Sequence, residues 1–166
     1  MTEEEILHKG EWLHDSLVLK INSKLFGKLL PIEVSFDQGE AKNLSTTSVS
    51  AINDFLRLTV ENLQAIEEAI WKHCLACNQT QTSRGSSDGG KTWVDKSTTL
   101  EENLSEWGIK TKEDALDKSS IEGVWMANTW GKHSSANVFY LGISVAWDNE
   151  HGMNIIFRNG KLDDVE

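Results

Sequence analysis

The chain has 166 residues, of which 39% are hydrophobic, with one proline and 12 glycines, and this length and composition are typical of a single globular domain. Its 26 acidic residues outnumber 16 lysines and arginines and give a formal net charge of -10. A field of that sign disfavours binding to nucleic acid or to an anionic membrane surface, but it would steer in a basic protein partner. An acidic balance is also common where only solubility is needed, so the charge by itself names no partner.

The N-terminal residues are acidic where a secretory signal would be basic. No apolar run approaches the roughly 20 residues that a membrane-spanning helix needs. We therefore expect a cytoplasmic protein that binds neither membrane nor nucleic acid.

Two strands are predicted in the first part of the chain, at residues 17–21 and 29–36. The second strand alternates, which places three apolar side chains on one face: Ile32, Val34 and Phe36. Because proline cannot donate a hydrogen bond to a neighbouring strand, Pro31 favours an edge or first-residue position.

Residues 44–77 predict one long amphipathic helix of about seven turns or a little more. Ser45, Thr46 and Thr47 are candidates for its N-cap. Apolar residues recur at steps of three and four: Val49, Ile52, Phe55/Leu56, Leu63, Ile66, Ile70 and Cys74. Thr59 and Val60 form the weakest step of this pattern, so it is compatible with one break in the middle.

Residues 78–91 are polar, rich in glycine and serine and without period, which predicts a mobile loop. Gly85, Gly90, Lys91 and Thr92 fall at the spacing of a phosphate-binding loop. Because no apolar strand precedes them and no helical pattern follows directly, a chance match is the favoured interpretation.

Two short helices are predicted next, at residues 100–107 and 111–116. Thr111 and Asp114 form an N-cap pattern with an acidic residue at its third position, and Gly108 is placed to end the first helix. The last third of the chain predicts strands at 121–128, 138–147, 153–157 and 162–165, with Asn159-Gly160 as a type I′ hairpin turn.

The predicted strand 138–147 has two different faces. One is apolar: Phe139, Leu141, Ile143, Val145 and Trp147. The other is small and mixed enough to lie under a helix: Val138, Tyr140, Gly142, Ser144 and Ala146.

These elements predict one α+β domain over residues 1–166. Its sheet is mostly antiparallel and combines an N-terminal hairpin with a C-terminal meander. The long helix and the short helices pack on one face of that sheet.

Cys74-Leu-Ala-Cys77 has a spacing found in zinc and redox sites. A structural zinc site needs two further ligands, and a redox motif of this kind opens a helix rather than closing one. Because the cysteines fall at the end of an amphipathic helix, where apolar residues are due, buried thiols are the favoured interpretation.

Asp148-Asn-Glu-His-Gly152 is the most site-like cluster, with two carboxylates and an imidazole close together. Such groups could bind a divalent cation or transfer protons. A β-turn is the favoured alternative, with a positive φ at Gly152 and a local hydrogen bond from His151.

Seven tryptophans stand in the sequence. Trp71 and Trp147 fit apolar faces, whereas Trp93, Trp107 and Trp130 lie in polar surroundings. Exposed tryptophan is a common interface anchor, although a role in pinning the core or a loop is at least as good an interpretation.

The motifs of common hydrolases and dinucleotide enzymes are missing, so we expect a protein that is not an enzyme and that needs no cofactor.

Several segments together resemble a known family. Residues 24–37, the helix at 49–70, Val138-Phe-Tyr-Leu-Gly and Trp147-Asp-Asn-Glu-His-Gly-Met-Asn-Ile-Ile-Phe-Arg-Asn-Gly-Lys are similar to a family of small, uncharacterised bacterial α+β domains. Their tails read Trp-Asp-x-Glu-His-Gly and then Asn/Asp-Gly-Lys. The resemblance covers the larger part of the chain and leaves out residues 78–91.

Members of such families resemble immunity proteins of contact-dependent growth inhibition and other polymorphic toxin systems. The resemblance implies a cytosolic inhibitor of a cognate toxin domain. It carries over five residues as a family motif that could be structural: Trp147, Asp148, Glu150, His151 and Gly152. It carries over no catalytic residue and no metal ligand.

Many such toxins are nucleases and therefore basic, so an acidic inhibitor could associate by electrostatic steering. The candidate contacts are the acids of residues 95–117 and two tryptophans: Trp93, Asp95, Glu101, Glu102, Glu106, Trp107, Glu113, Asp114 and Asp117.

Two alternative functions stay open. One is a metal-binding or metal-dependent domain at Asp148, Glu150 and His151, and the other is a regulatory or scaffold domain with an unrelated partner.

Overall fold

The computed structural model of the chain describes residues 1–86, 89–90, 94–128 and 136–166. The helices of this part are α1 (Glu3–Lys9), α2 (Thr46–Leu56), α3 (Val60–Cys77), α4 (Leu100–Glu106) and α5 (Lys112–Asp117). The strands are β1 (Glu11–Leu13), β2 (Ser16–Ser23), β3 (Lys28–Ser35), β4 (Gln81–Gly85), β5 (Val94–Thr98), β6 (Ser119–Ala127), β7 (Val138–Val145), β8 (Asp148–Arg158) and β9 (Lys161–Val165).

In the described part of the chain, seven strands form one sheet in the order β1-β2-β3-β6-β7-β8-β9. Neighbouring strands are antiparallel except β3 and β6, which are parallel. This parallel pair joins the N-terminal strands to the C-terminal meander. The predicted α+β fold, with its mostly antiparallel sheet, is therefore confirmed.

One face of the sheet is apolar throughout. A row of paired residues crosses it from β2 to β9: Leu19, Ile32, Val124, Leu141, Ile155 and Val165. The first five of these are buried, and Val165 packs against the same core. Period-two alternation in each strand produces this row, because successive side chains point to opposite faces.

Helices pack on this apolar face. α1 contacts β2, α2 contacts β7, α3 contacts β8 and β9, and α5 contacts β6. The Phe55 ring of α2 meets the Phe139 ring of β7 edge-on at 5.8 Å. The prediction that the smaller face of β7 lies under a helix is therefore wrong, because the larger apolar residues bury more area against the helices. On the opposite face, Tyr140 stacks on Trp125 of β6 at 3.8 Å.

The predicted long helix is broken into α2 and α3 at residues 57–59. The Ser45 hydroxyl accepts a hydrogen bond from the Ser48 N–H at 3.1 Å and caps α2. The Thr59 N–H donates to the side chain of Asn62 at 2.9 Å, where α3 begins. The break lies at the weak step of the apolar pattern and lets the two helices cover different strands.

Pro31 lies inside the sheet, so the predicted edge position is wrong. β3 has β2 on one side and β6 on the other. Pro31 is paired with Lys20 of β2, and this must be a pair without main-chain hydrogen bonds because proline has no N–H. The ladder to β6 begins one residue later, at Ile32 and Val124, so the missing N–H removes no bond from it.

The predicted loop over residues 78–91 is also wrong in part. β4 pairs antiparallel with β5, from Gln81 opposite Thr98 to Gly85 opposite Val94. The pairing of polar strands depends on main-chain hydrogen bonds, so it leaves no apolar periodicity in the sequence. Lys91 and Thr92 of the phosphate-loop spacing lie outside the described residues.

Both predicted short helices are confirmed as α4 and α5. Gly108 ends α4 with φ 64°. Its N–H donates to the Ser105 carbonyl at 3.0 Å, and the Ile109 N–H donates to the Leu104 carbonyl at 3.0 Å, which together form a Schellman motif. None of the described helices has the length and apolar character that crossing a lipid bilayer requires.

Candidate functional site

Three of the predicted contact residues lie together on α4. Glu101, Glu102 and Glu106 line a shallow depression of about 530 Å³ with Thr99 and Ser105. We call these five residues the acidic depression. Three glutamates side by side on this open surface make its local charge negative.

Capping interactions fix the geometry of the acidic depression. The Glu102 carboxylate accepts hydrogen bonds from the Thr99 N–H at 2.8 Å and from the Thr99 hydroxyl at 3.1 Å. These bonds lower the pKa of Glu102 below its ordinary value, the main-chain bond being the larger cause. Glu102 is therefore ionised at neutral pH and held in one position.

The inner side of α4 explains why the glutamates face solvent. The Asn103 amide donates to the carbonyls of Asn78 and Gln79, both at 3.1 Å, and so ties α4 to the C-terminal end of α3. Leu104 is buried in the core. Since these two side chains point inward, Glu101 and Glu106 are left on the exposed side.

Glu101 and Glu106 form no ion pair within the part of the chain that the structure describes. Their carboxylates thus keep their interaction with water. A cationic partner could exchange that water for charge-assisted hydrogen bonds.

The remaining acids of the predicted contact set lie on other elements. Glu113 and Asp117 are exposed on α5. This helix is held to α3 by the buried Ala115 and by an ion pair in which Lys112 lies 3.4 Å from Glu68. Hydrogen bonds from the main-chain N–H groups of Lys110 and Thr111 lower the pKa of Asp114. Asp114 thus caps α5, as its pattern predicted.

The two predicted tryptophan anchors have different outcomes. Trp107 is half-buried at the C-cap of α4 and packs against the core, so its position favours pinning this turn over anchoring a partner. Trp93 lies outside the described residues. Asp95 is exposed on β5, which belongs to the separate two-stranded sheet.

Trp147 of the predicted motif is buried and holds the sheet to α3. Its indole N–H donates to Nδ1 of His73 at 3.1 Å. The other ring nitrogen of His73 lies 3.5 Å from Sγ of Cys77, one helical turn along. Burial lowers the pKa of His73, and the charge of Asp148 opposes that shift. The sequence gives no signal for this contact, since 74 residues separate its partners.

Residues 149–152 form a bulge at the start of β8. The connection from β7 is a tight turn at Ala146 and Trp147, and Val145 is already paired with Asp148. The predicted β-turn at Asp148-Gly152 is therefore misplaced, although Gly152 does have a positive φ of 64°. A Cβ at Gly152 would lie 2.8 Å from the Ile143 carbonyl oxygen, so the bulge needs glycine there.

Asp148 and His151 bond to each other within the bulge. The Asp148 carboxylate accepts from the His151 N–H at 3.2 Å and lies 3.1 Å from Nδ1 of its ring. Burial acts to raise the pKa of Asp148, but the two hydrogen bonds from His151, together with the charges of His151 and His73, outweigh it and lower that pKa. The local hydrogen bond predicted for His151 is present.

A depression of about 280 Å³ adjoins the bulge, with Glu122, Asp148, Glu150 and His151 in its wall. His151 and Glu150 are exposed. Within the described ranges, no three histidine, cysteine, aspartate or glutamate side chains are placed to hold one metal ion. The fold therefore brings no third ligand to this cluster among the described residues, and the metal-site hypothesis receives no support from the geometry.

The two cysteines have free thiols. Burial is the main cause that raises the pKa of Cys74 to about 11, and it raises the pKa of Cys77 as well. Because the thiolate is the reactive form, both groups are weak nucleophiles at neutral pH. Their positions favour the interpretation as packed thiols.

The Asn159-Gly160 part of the predicted motif forms the β8–β9 hairpin turn. Both residues have positive φ, at 50° and 72°, as a type I′ turn requires. The Asn159 side chain and main chain bond to Asn137, whose own amide reaches Asp54 of α2. This end of the motif therefore joins the hairpin to a helix.

Comparison with known proteins gives one family match. A family model described as a domain of unknown function (DUF6985) matches residues 2–166. No curated protein and no solved structure matches the chain. Because the family model covers nearly the whole sequence, the chain belongs to the DUF6985 family.

Proposed function

We propose that this protein is a cytoplasmic immunity protein that binds and neutralises a basic bacterial toxin domain, and that it acts by binding rather than by catalysis. The observation that carries the proposal is the acidic depression. Three glutamates face solvent around one concavity, in a chain of net charge -10. The resemblance of the tail motif to immunity-protein families points in the same direction.

The chemistry of the acidic depression suits a cationic protein. A nuclease holds phosphate in a cleft lined by lysine and arginine, and carboxylates can occupy the same positions. Long-range attraction speeds the encounter of oppositely charged proteins. Since Thr99 already orders Glu102, binding there loses less side-chain entropy.

The positions of the motif residues support a binding role. Trp147 bonds to His73, Asp148 bonds to His151, and Gly152 shapes a bulge. These contacts give Trp147, Asp148 and Gly152 structural roles in the fold. The exposed acids of α4 are then the better candidates for contact with a partner.

A binding experiment with charge reversals tests the proposal. If the proposal holds, a toxin domain is expected to be encoded directly before the gene of this protein, and that domain is the partner to use. The readouts are co-purification and protection of cells that express the toxin. The double variant Glu101→Lys/Glu106→Lys should weaken binding by at least about 10-fold, because like charges then face the partner. The wild-type affinity should also fall as salt is raised.

The matched control is Glu4→Lys/Glu11→Lys. Both residues are exposed at the N-terminal end, and the substitution changes the net charge by the same amount. Equal weakening by the two double variants would assign the effect to net charge and reject the acidic depression as the contact. A wild-type protein that neither co-purifies nor protects would reject the immunity function itself.

A further inference from the structure

His73 is the one partner that the structure gives to the buried indole N–H of Trp147 within the described residues. An indole N–H can only donate, so Nδ1 of His73 must accept and carries no proton. The proton of the neutral ring is then on Nε2, which faces Sγ of Cys77 at 3.5 Å. This contact joins the C-terminal end of α3 to the β7–β8 turn.

Within the described residues, the titratable groups that act on His73 come from two elements. Cys77 lies on its own helix, and Asp148 lies on β8, directly after Trp147. Asp148 is the charged group whose field acts on the His73 ring. The same carboxylate accepts hydrogen bonds from His151, which is exposed beside Glu150.

Protonation of His73 is incompatible with its bond to Trp147. The imidazolium carries N–H donors at both ring nitrogens, so Nδ1 can no longer accept from the indole. The carboxylate of Asp148 is then the favoured partner of the ring, because it is negative and is already within electrostatic reach. The His73 ring would then lose its hydrogen bond to Trp147 and pair with Asp148, the next residue along the chain.

We propose that His73, Trp147 and Asp148 form a pH-operated latch, which holds the β7–β8 turn against α3 while the imidazole is neutral and releases Trp147 when it is protonated. The turn leads directly into the bulge at 149–152, so this end of the sheet is the part set free. The latch does not depend on the immunity function.

The direction of the pH dependence follows from burial. The pKa of His73 is lowered in the folded chain, so the unfolded chain takes up this proton first as the pH falls. The latch therefore contributes its full stability above about pH 6.5, the ordinary value of histidine, and loses it progressively at lower pH.

Nuclear magnetic resonance of the ¹⁵N-labelled full chain tests the latch. The Trp147 indole signal, assigned with Trp147→Phe, is followed from about pH 7.5 to about pH 4.5, and its midpoint is expected below about pH 6.5. The signal should shift or broaden as the His73 ring titrates, while the other indole signals stay in place. His73→Gln should abolish this change, because the glutamine carbonyl accepts at every pH. His151→Gln is the matched control and should keep it.

Asp148→Asn gives a second test that does not alter His73. Without the carboxylate the imidazolium is less stable, so the midpoint should move to lower pH. A constant Trp147 signal in the wild type, a transition that survives His73→Gln, or simultaneous movement of all indole signals would each overturn the latch. If His73→Gln does not fold, an unmoved or raised midpoint in Asp148→Asn overturns it.

Discussion

Asn128 shows at the scale of one residue how a buried polar side chain can organise a fold. Its amide donates to the Glu40 carboxylate at 2.7 Å and to the Asn43 carbonyl at 3.0 Å. Its side-chain oxygen accepts from the Ser45 N–H at 2.7 Å and the Ser48 hydroxyl at 3.1 Å. The end of β6 is thereby tied to the start of α2 and to the segment that precedes it.

Replacing this buried side chain should be costly because four hydrogen bonds are lost at once, including those from the half-buried Ser45 N–H and the buried Ser48 hydroxyl. We expect Asn128→Ala to lower the free energy of unfolding by about 2–4 kcal/mol. Urea denaturation measures the change. Asn149→Ala removes an exposed amide and should cost no more than about 0.5 kcal/mol; equal losses in the two variants would contradict the role given to Asn128.

The bulge of β8 makes a prediction at the scale of the element. Gly152 has a positive φ, and a Cβ there would lie 2.8 Å from the Ile143 carbonyl oxygen, a main-chain atom of the neighbouring strand. Gly27 in the β2–β3 turn has the same φ of 64° but open space around a Cβ. Comparing alanine substitutions at the two glycines therefore distinguishes the cost of a left-handed backbone, which both share, from the cost of a steric clash, which arises only at Gly152.

Alanine substitutions should rank accordingly. Gly27→Ala should cost about 1 kcal/mol through the left-handed conformation alone. Gly152→Ala should cost about 1–3 kcal/mol more, because β7 or β8 must shift. The difference in urea midpoint between the two variants measures the cost of the steric clash at Gly152. Equal losses of stability in the two variants would show that the bulge has room for a side chain.

The charge balance acts at the scale of the whole molecule. Glu68 and Asp163 take part in ion pairs, and Asp148 pairs with a histidine that is charged only when protonated; the chain has 26 acids and a net charge of -10. These pairs are partly exposed and contribute little stability. Because the chain carries a net charge of -10, repulsion among its carboxylates is expected to be the larger electrostatic effect, and it opposes the compact state.

Screening should then stabilise the protein. Raising sodium chloride from about 20 mM to about 200 mM shortens the range of repulsion and should raise Tm by about 2–4 °C. Thermal unfolding at both salt concentrations measures it. Glu4→Lys/Glu11→Lys lowers the net negative charge and should respond less to salt; a Tm that falls with salt would mean that local ion pairs dominate.

Local patterns in the sequence determined most of the secondary structure. The cap at Ser45, the Thr111 and Asp114 pair, the stop at Gly108 and the Asn159-Gly160 turn depend on neighbours within a few residues. The apolar face of the sheet follows from alternation in each strand. These features could be predicted because the interactions that cause them are close along the chain.

Only the tertiary structure decided where those elements meet. The parallel pairing of β3 with β6 places Pro31 inside the sheet, and the β4–β5 pair depends on main-chain bonds that leave no pattern of side chains. The grouping of Glu101, Glu102 and Glu106 could be expected from helical spacing, but their exposure depends on how Asn103 ties α4 to α3. The contact between Trp147 and His73 joins residues 74 positions apart. Sequence spacing carries no information on such contacts, since packing between distant elements creates them.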